Sequence, residues 1–521
     1  MNNNMQVKTK LSNSQKNLIK NKKEPLIIDC FAGGGGASVG IEMACGKNVT
    51  IAINHDLDAV KMHSVNHPNT IHLLEDVFDV DLKQYVCDKD VGLMWASPSC
   101  THFSRAKGGK PLEEQFRILP WSVYKHAKDI SPGVCIMENV PELCSWGPLS
   151  EDGRPIPGHE GEYYRDFIHA MERLGYTYDC RELVAADYGA PTTRKRWFGI
   201  FRCDGKPIIW PQPTHSKDGT DGLKPWVSAA EVLNLSDFGK SIFGRKKPLA
   251  EKTLKRIAAG IRKFVFESDD PFIVQVNHGG DSFRGQSIHE PLPTITQKHG
   301  FGLVTPKIVN LNDLGISVTS DASMQNTNLE HGAEAGQFLT KFYKSGIGQS
   351  MKEPLHTITT SPGHFGQVSI LTVDVKDLVK NGISEETAQK CTWVSQYLME
   401  YYGCGIGSSL KEPMHTIVTK DRFALITVLG SERAVVDICL RMLEPEELKL
   451  AQGFPKDYII DRDASWNRYP KSKQVARIGN SVVPVLAKVL VEANCPELIV
   501  GERVPCLNVT EEETGQIRMA L

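Results

Sequence analysis

Leu26-Ile27-Ile28-Asp29-Cys30-Phe31-Ala32-Gly33-Gly34-Gly35-Gly36 decides the fold. A short apolar run, an acid and four consecutive glycines predict a buried strand that turns tightly into a helix, whose pattern continues through Val39, Ile41 and Met43. Similar apolar runs follow at 49–53, 91–95, 134–137 and 197–201, each ending in a polar or glycine-containing turn. Strands alternating with helical stretches over residues 25 to 205 predict an α/β fold built on a doubly wound sheet. Ligands of such sheets bind outside the carboxyl ends of the strands. The segments 29–36, 54–56, 98–104 and 138–141 all follow predicted strands, so they are expected to converge on one edge.

The bulk properties exclude several classes. A chain of 521 residues and 57.8 kDa can bury a sizeable core and predicts two or three domains. Hydrophobic residues make up 40% and charged residues 23%, and no apolar stretch approaches the roughly 18 residues needed to span a bilayer. Membrane insertion is therefore not expected. Thirteen cysteines without regular spacing, without a CxxC pair and without a secretory signal predict reduced thiols, a cytoplasmic location and no metal site.

Net charge is −2, so any surface for nucleic acid must be local. Residues 1–24 form a basic, Asn-rich tail with Lys8, Lys10, Lys16, Lys20, Lys22 and Lys23, a composition that predicts disorder. A second basic stretch spans 240–263, where Leu254, Ile257, Ile261 and Phe264 recur at helical spacing. An amphipathic helix with a basic outer face follows, and contact with phosphates or simple solvation suits that face equally.

Residues 265 to 435 contain an internal repeat. Ser287-Ile288-His289-Glu290-Pro291-Leu292-Pro293-Thr294-Ile295-Thr296 is echoed by Ser350-Met351-Lys352-Glu353-Pro354-Leu355-His356-Thr357-Ile358-Thr359, and again by Ser409-Leu410-Lys411-Glu412-Pro413-Met414-His415-Thr416-Ile417-Val418-Thr419. The period is about 60 residues, longer than usual solenoid periods. Each copy runs on into a β-type segment, so short hairpin strands are expected, serving either as scaffold or as a groove lined by Thr, His and Lys. Beyond them, 445–452 and 482–493 read as helices. The domains so expected are a tail over 1–24, a catalytic domain over 25–240, a repeat region over 241–435, a segment over 436–500 that returns to the catalytic domain, and a tail over 501–521.

The glycine turn lacks the GxGxxG pattern, because positions 38 and 39 are Ser and Val, so a dinucleotide is not its natural ligand. Asp56 and Glu75-Asp76 place carboxylates at neighbouring strand ends, where they suit ribose hydroxyls and an adenine amino group and repel phosphates. A nucleoside without a phosphate chain fits, which points to S-adenosylmethionine. Cys100, in Pro98-Ser99-Cys100-Thr101-His102-Phe103-Ser104, follows a predicted strand, and a thiolate there can add to an electron-poor ring carbon and activate its neighbour toward a methyl group. Glu138 in Glu138-Asn139-Val140 is placed to bond a ring nitrogen of that base, and Arg194 and Arg196 to fix its carbonyl or its phosphate. Each has a bland reading as a structural ion pair, and four together do not.

These residues resemble the C5-cytosine-specific DNA methyltransferase family, over about 26–204 and again 441–490. Asp29-x-Phe31-x-Gly33-x-Gly35-Gly36 looks like its cofactor loop, and Pro98-x-Cys100-Thr101-x-Phe103-Ser104 like its Pro-Cys-Gln nucleophile loop. Glu138-Asn139-Val140 and Arg194-x-Arg196 match two further segments. Arg441-x-Leu443-x-Pro445-x-Glu447 with Gln452-Gly453-Phe454-Pro455, and then Gly479-Asn480-Ser481-Val482, match the last two. Three positions depart from the family pattern: Ser99 stands where Pro usually precedes the cysteine, Asn54 where an acid usually meets the ribose, and Thr192 where Gln usually stands.

The resemblance implies a Rossmann-like S-adenosylmethionine-dependent methyltransferase domain with a second, largely β or irregular target recognition domain over the repeats. The expected cofactor contacts are Asp29, Phe31, Gly33, Gly35, Gly36, Asp56, Asp76, Val77, Asn480 and Val482. By the same resemblance Cys100 attacks C6 of a cytosine flipped from duplex DNA, Glu138 contacts N3 and the amino group, and Arg196 lies on the carbonyl side. The segment 105–111 is expected to close over the base. Double-stranded DNA is the implied partner, in restriction-modification or phage DNA protection, with a cognate restriction endonuclease admitted and a monomer expected. An RNA cytosine methyltransferase and a catalytically silent DNA-binding relative are the competing readings.

Overall fold

The computed structural model describes residues 19, 24–98, 118–237, 239–260, 272–275, 285–297, 300–310, 334–341, 349–350, 365–374, 384–386, 422–426, 433–463, 465–503, 508–511 and 517–520. Two units divide the chain: unit 1 comprises Met1–Leu233, Glu290–His299 and Glu444–Leu521, and unit 2 comprises Asn234–His289 and Gly300–Leu443. The first repeat copy is thus split, since its Glu-Pro-Leu-Pro-Thr-Ile-Thr portion belongs to unit 1.

Unit 1 is built on a seven-stranded sheet of β1 (Leu26–Cys30), β2 (Ile51–Asn54), β3 (Ile71–Leu74), β4 (Val91–Ala96), β5 (Val134–Asn139), β6 (Thr177–Val184) and β7 (Lys195–Arg202), in the order β3-β2-β1-β4-β5-β7-β6. The first five positions are parallel, with Ile28 opposite Ile51 and Met94, and Leu93 opposite Val134. β7 runs antiparallel to both β5 and β6. The helices between strands are α1 (Gly36–Cys45), α2 (Leu57–Asn66), α3 (Lys83–Val86), α4 (Pro120–Ile130) and α5 (Glu162–Arg173).

Burial explains why the strands form. Successive side chains of a strand point to opposite faces, and both faces of this sheet are covered, so the central strands are apolar throughout. Ile28, Ile53, Met94, Met137 and Phe201 join one core, which includes Val123 of α4 and Phe167 of α5. Ile27, Leu93, Ile136 and Phe198 join the other. β6 carries no such run, because alternate residues of this edge strand are exposed, and it was absent from the sequence reading.

After a small pair of strands, β8 (His215–Ser216) and β9 (Lys224–Pro225), the chain enters unit 2. There β10 (Lys240–Ser241), α6 (Glu251–Gly260), β11 (Phe272–Gln275), β12 (Gly285–Ser287), β13 (Phe301–Asn310), β14 (Glu334–Lys341), β15 (Gln349–Ser350), β16 (Phe365–Asp374), β17 (Arg422–Ile426) and β18 (Arg433–Met442) follow. They form sheets ordered β10-β18-β13-β11-β12 and β15-β14-β16-β17, with every pairing antiparallel. The repeat has a strand-level counterpart. β11 pairs with β12 and β13, the strands flanking the first copy, just as β14 pairs with β15 and β16, which flank the second. The basic helix expected over 240–263 is the shorter α6, with Ile257 and Ala258 buried and Lys255 Nζ 2.7 Å from Glu251; Ile261 and Phe264 lie outside the described residues.

The chain returns to unit 1 with α7 (Pro445–Ala451), α8 (Lys471–Asn480) and α9 (Pro484–Asn494). Residues 471–494 are long and apolar enough to pass a length-and-composition test for a membrane span. They are nevertheless two helices, interrupted at Ser481–Val483 where the backbone is extended, and most of the stretch is buried inside the protein. α9 lies against α1 so closely that a Cβ on Gly40 would fall 2.3 Å from the Pro484 carbonyl oxygen.

Candidate active site

The glycine turn between β1 and α1 uses its glycines in different ways. Phe31, half-buried, has φ +67°, a left-handed conformation uncommon for an aromatic residue, and Gly33 and Gly35 also have positive φ. Among the described residues a Cβ at Gly33 would meet only the Phe31 carbonyl oxygen, at 3.5 Å, so this position is open as far as those residues go. The others face protein. A Cβ at Gly34 would sit 2.6 Å from Ser481 Oγ, at Gly35 1.9 Å from Tyr458 Oη, and at Gly36 2.1 Å from the Val482 carbonyl oxygen. The Gly-Asn-Ser-Val turn thus docks on the glycine turn, two motifs more than 440 residues apart in sequence. Val482 is buried in that contact and Asn480 is exposed.

Around this turn lie the expected acids. Asp76 is exposed and its Oδ1 accepts the Phe78 N–H at 2.9 Å, while the adjacent Val77 packs into the core and its carbonyl accepts from His126 Nε2 at 2.7 Å. Asp56 is the N-cap of α2, accepting from the N–H groups of Asp58 (2.9 Å) and Ala59 (3.1 Å), and Arg477 of α8 donates to it at 2.6 Å. Burial alone would raise the Asp56 pKa, but Arg477 and the helix N–H groups hold it below the usual carboxylate range. Asn54 accepts the Asp56 N–H at 2.8 Å.

Asp29 behaves unlike a contact residue. It is fully buried, its Oδ2 accepts from Ser38 Oγ at 2.6 Å, and its pKa is raised to about 7 by burial, with the Ser38 bonds opposing. Its carboxylate secures β1 to α1, beneath the turn rather than at its open face.

On the other side, β4 leads into Ser97 and Pro98, and Cys100 with residues 99–117, including the 105–111 segment, lies outside the described residues. What fixes the approach is visible. The buried Asn139 donates from Nδ2 to the Pro98 carbonyl at 3.1 Å and accepts the Val140 N–H at 2.9 Å, while Ser97 N–H donates to the Cys30 carbonyl at 3.2 Å. Trp95 Nε1 donates to Ser97 Oγ at 2.8 Å. The nine described cysteines are all free. Among them Cys30 and Cys135 sit inside the sheet, where burial pushes their thiols well above the ordinary range and makes them inert.

Glu138 and Arg196 come together, with Arg196 Nε 3.1 Å from Glu138 Oε1 and both side chains about one-tenth exposed. The reversal of β7 is the reason. Glu138 ends β5, Arg196 begins β7, and the antiparallel register sets Glu138 opposite Phe198, so Arg196 lies two residues further along on the same face. Arg194 does not join them. It is 3% exposed, and its Nη1 donates to the carbonyls of Ile295 (3.1 Å) and Gly479 (3.0 Å). The expected contact with a base carbonyl or phosphate is corrected accordingly, because this guanidinium is committed to main-chain acceptors inside unit 1.

The partner of that clamp is the portion of the first repeat that belongs to unit 1. Leu292 N–H donates to the Pro191 carbonyl at 3.0 Å, Thr193 N–H to the Leu292 carbonyl at 2.8 Å, and Leu292 and Ile295 are buried. Gly479 is held flush against it, for a Cβ there would lie 2.4 Å from the Thr296 carbonyl oxygen. Sequence reasoning missed this strap and the anchor Asn139. The strap's signal was the pairing of Pro-Leu with Thr-Ile at buried spacing, and that of Asn139 was its place in the Glu138-Asn139-Val140 segment at the end of β5, which gave it no role of its own.

The sequence is similar to those of known proteins. The C-5 cytosine-specific DNA methylase family matches residues 26–242. The type II methyltransferase M1.HphI of Haemophilus parahaemolyticus is 27% identical over 270 residues, covering 47% of this chain and 69% of the relative. The type II methyltransferase M.DdeI of Desulfomicrobium norvegicum is 34% identical over 222 residues, 41% of this chain, and there the chain spans about half the relative's length (50%). Among solved structures, the S. pombe Dnmt2 methyltransferase aligns over 91% of this chain and 99% of its own at 12% identity and a TM-score of 0.43. The family match runs from the glycine turn through the Glu138–Arg196 pair, so residues 26–242 are similar in sequence to the C-5 cytosine-specific DNA methylase family.

Proposed function

We propose that this protein methylates C5 of cytosine in double-stranded DNA, with S-adenosylmethionine as methyl donor and Cys100 as nucleophile. The observation that carries the reading is the Glu138–Arg196 pair at the sheet edge, beside the β4 exit, where Asn139 holds the Pro98 carbonyl two residues before Cys100 in sequence. Family and fold imply S-adenosylmethionine-dependent methylation. The residues present fit that molecule: the edge carries carboxylates at Asp56 and Asp76, Gly33 is open among the described residues, and Phe31 offers a partly exposed ring. When bound, S-adenosylmethionine supplies an electrophilic methyl group on a sulfonium. Phe31, Gly33 and Asp76 would hold its nucleoside part, with Asn480 at the rim. Asp29, Gly35, Gly36, Asp56, Val77 and Val482 would act from behind by shaping the turn and its acids.

The chemistry falls to three side chains. The Cys100 thiolate forms a bond to C6 of a cytosine turned out of the stack, which places electron density on C5. Glu138 bonds N3 and the amino group, and stabilises the ring as its electrons shift. Arg196, across the 3.1 Å contact, fixes the Glu138 carboxylate and meets the O2 side of the base. Once C5 is methylated, loss of its proton restores the double bond as the C6–S bond breaks and Cys100 is released as thiolate. Use within restriction-modification, with a cognate endonuclease in the same cell, is the biological role that suits relatives named type II methyltransferases.

The test is transfer of labelled methyl groups from S-adenosylmethionine to unmethylated duplex DNA, with Cys100→Ala and an RNA substrate in parallel. Label recovered as 5-methylcytosine in DNA and lost in the variant is the expected result. Label in RNA alone, or equal transfer by Cys100→Ala, would overturn it.

A further inference from the structure

We propose that Tyr458 is a positioning residue for the cofactor turn, acting through a buried polar strut that runs from Glu42 through His67 and Tyr458 to the Gly34 carbonyl. The inference rests on the reading of that turn as the S-adenosylmethionine site. Tyr458 is 2% exposed, and its hydroxyl donates to the Gly34 carbonyl oxygen at 2.8 Å. On its other side it lies 3.4 Å from His67 Nε2, and His67 Nδ1 is 2.5 Å from Glu42 Oε1. His67 is wholly buried and Glu42 nearly so, so the chain of contacts is shielded from water.

The peptide between Gly34 and Gly35 is thereby held at both ends. Its carbonyl takes the tyrosine hydroxyl, and its N–H donates to the Ala32 carbonyl at 2.9 Å. With that peptide fixed, the positive φ of Gly33 and of Gly35 and the outward face of Gly33 are fixed with it. Glycine backbone of this kind has little conformational preference of its own, so an external hydrogen bond decides which orientation it keeps.

Tyr458 is itself firmly seated. Its N–H donates to the Pro455 carbonyl at 3.2 Å, and its own carbonyl accepts from the buried Lys449 Nζ at 3.0 Å. The next residue is tied to α2 by Asn66, which accepts the Ile459 N–H at 2.8 Å and donates to the Ile459 carbonyl at 2.7 Å. Ring contacts with Phe454, 4.8 Å between centroids, and His67, 5.8 Å, set the plane of the phenol. The hydroxyl therefore has one place to point.

The chemistry beyond this turn involves no atom of Tyr458, so the role is separable from catalysis. Tyr458→Phe keeps the ring and removes the bond to Gly34. Titration calorimetry with S-adenosylhomocysteine should show binding about five- to tenfold weaker than in the unsubstituted protein, the effect of one buried hydrogen bond. KM for S-adenosylmethionine should rise by the same factor, while kcat at saturating donor and the affinity for duplex DNA stay unchanged.

Gly35 supplies an independent check. A Cβ there would fall 1.9 Å from Tyr458 Oη but 3.1 Å from Cζ, so the hydroxyl is the principal obstruction. Gly35→Ala should weaken S-adenosylhomocysteine binding by a several-fold larger factor with Tyr458 in place than in the Tyr458→Phe background, because the backbone strain at φ +85° is common to both. Equal factors in the two backgrounds, or unweakened binding by Tyr458→Phe, would overturn the strut while leaving the cofactor assignment standing. An unsubstituted protein that binds no S-adenosylhomocysteine would overturn the cofactor assignment and the strut with it.

Discussion

Arg194→Met separates a clamp from a catalytic arginine. The substitution keeps an apolar stem of similar length and removes the guanidinium, so the carbonyls of Ile295 and Gly479 lose donors at 3.1 and 3.0 Å in a site where the arginine is only 3% exposed. A hydrogen bond from a charged group contributes about 1.5–3 kcal/mol, and a buried acceptor left without a partner costs about 1–3 kcal/mol. The two acceptors lie on different segments, the strap and the end of α8, so relaxation of one does not relieve the other. A net loss of about 3 kcal/mol follows, and at about 1.5 °C per kcal/mol for a unit of about 320 residues the melting temperature should fall by about 4–5 °C. Differential scanning calorimetry reads this directly. Methyl transfer measured well below the new transition should keep its kcat within a few-fold, because the guanidinium meets no reacting atom. A variant with unchanged melting temperature and a kcat lower by orders of magnitude would refute the clamp and return Arg194 to the chemistry.

Two further perturbations probe the same edge. Asn139→Ala removes the bonds to the Pro98 carbonyl and the Val140 N–H; single-turnover methyl transfer should slow by about 10²-fold with S-adenosylhomocysteine affinity unchanged, as expected when a nucleophile is misplaced by about 1 Å, and an unaltered rate would exclude the anchor. Asp29→Asn tests the buried carboxylate. Its folded pKa of about 7 lies above the ordinary 3.8, so ionisation opposes folding and native stability falls as pH rises from about 4 to about 7. The variant should therefore gain on the parent across that window and hold a constant advantage above it, up to about 4 kcal/mol; urea midpoints that shift in parallel at every pH would contradict the assignment.

Much of this fold was legible in the sequence because its central strands are buried on both faces. Runs such as Leu26-Ile27-Ile28 and the stretch 134–137 have no polar alternative, so strand and burial follow together. β6 escaped notice because an edge strand with alternate residues exposed leaves no run to see. α8 escaped for a related reason: Lys471-Ser472-Lys473-Gln474 opens it with polar residues, and only Val475 and Ile478 mark its buried side. Pairing was less legible than identity. Glu138 and Arg196 were both singled out, but their 3.1 Å contact depends on β7 running backwards, and strand direction leaves no trace in composition. Arg194 and Arg196 are two residues apart, and their fates diverge because the chain passes from the strap contact into β7 between them.

The glycine run shows why a motif can be read correctly and for an incomplete reason. Four adjacent glycines suggest a backbone that must approach a ligand, and one of them, Gly33, is open among the described residues. The other three are required by protein atoms. Gly34 and Gly36 lie under Ser481 and Val482, and Gly35 under the Tyr458 hydroxyl. Any side chain at these three positions would push the last helices of unit 1 away from the first turn. The glycines near the N-terminus and the Gly-Asn-Ser-Val turn near the C-terminus are therefore one structural feature written in two places. A long segment can be inserted between them without loosening the turn, provided the chain comes back to close it.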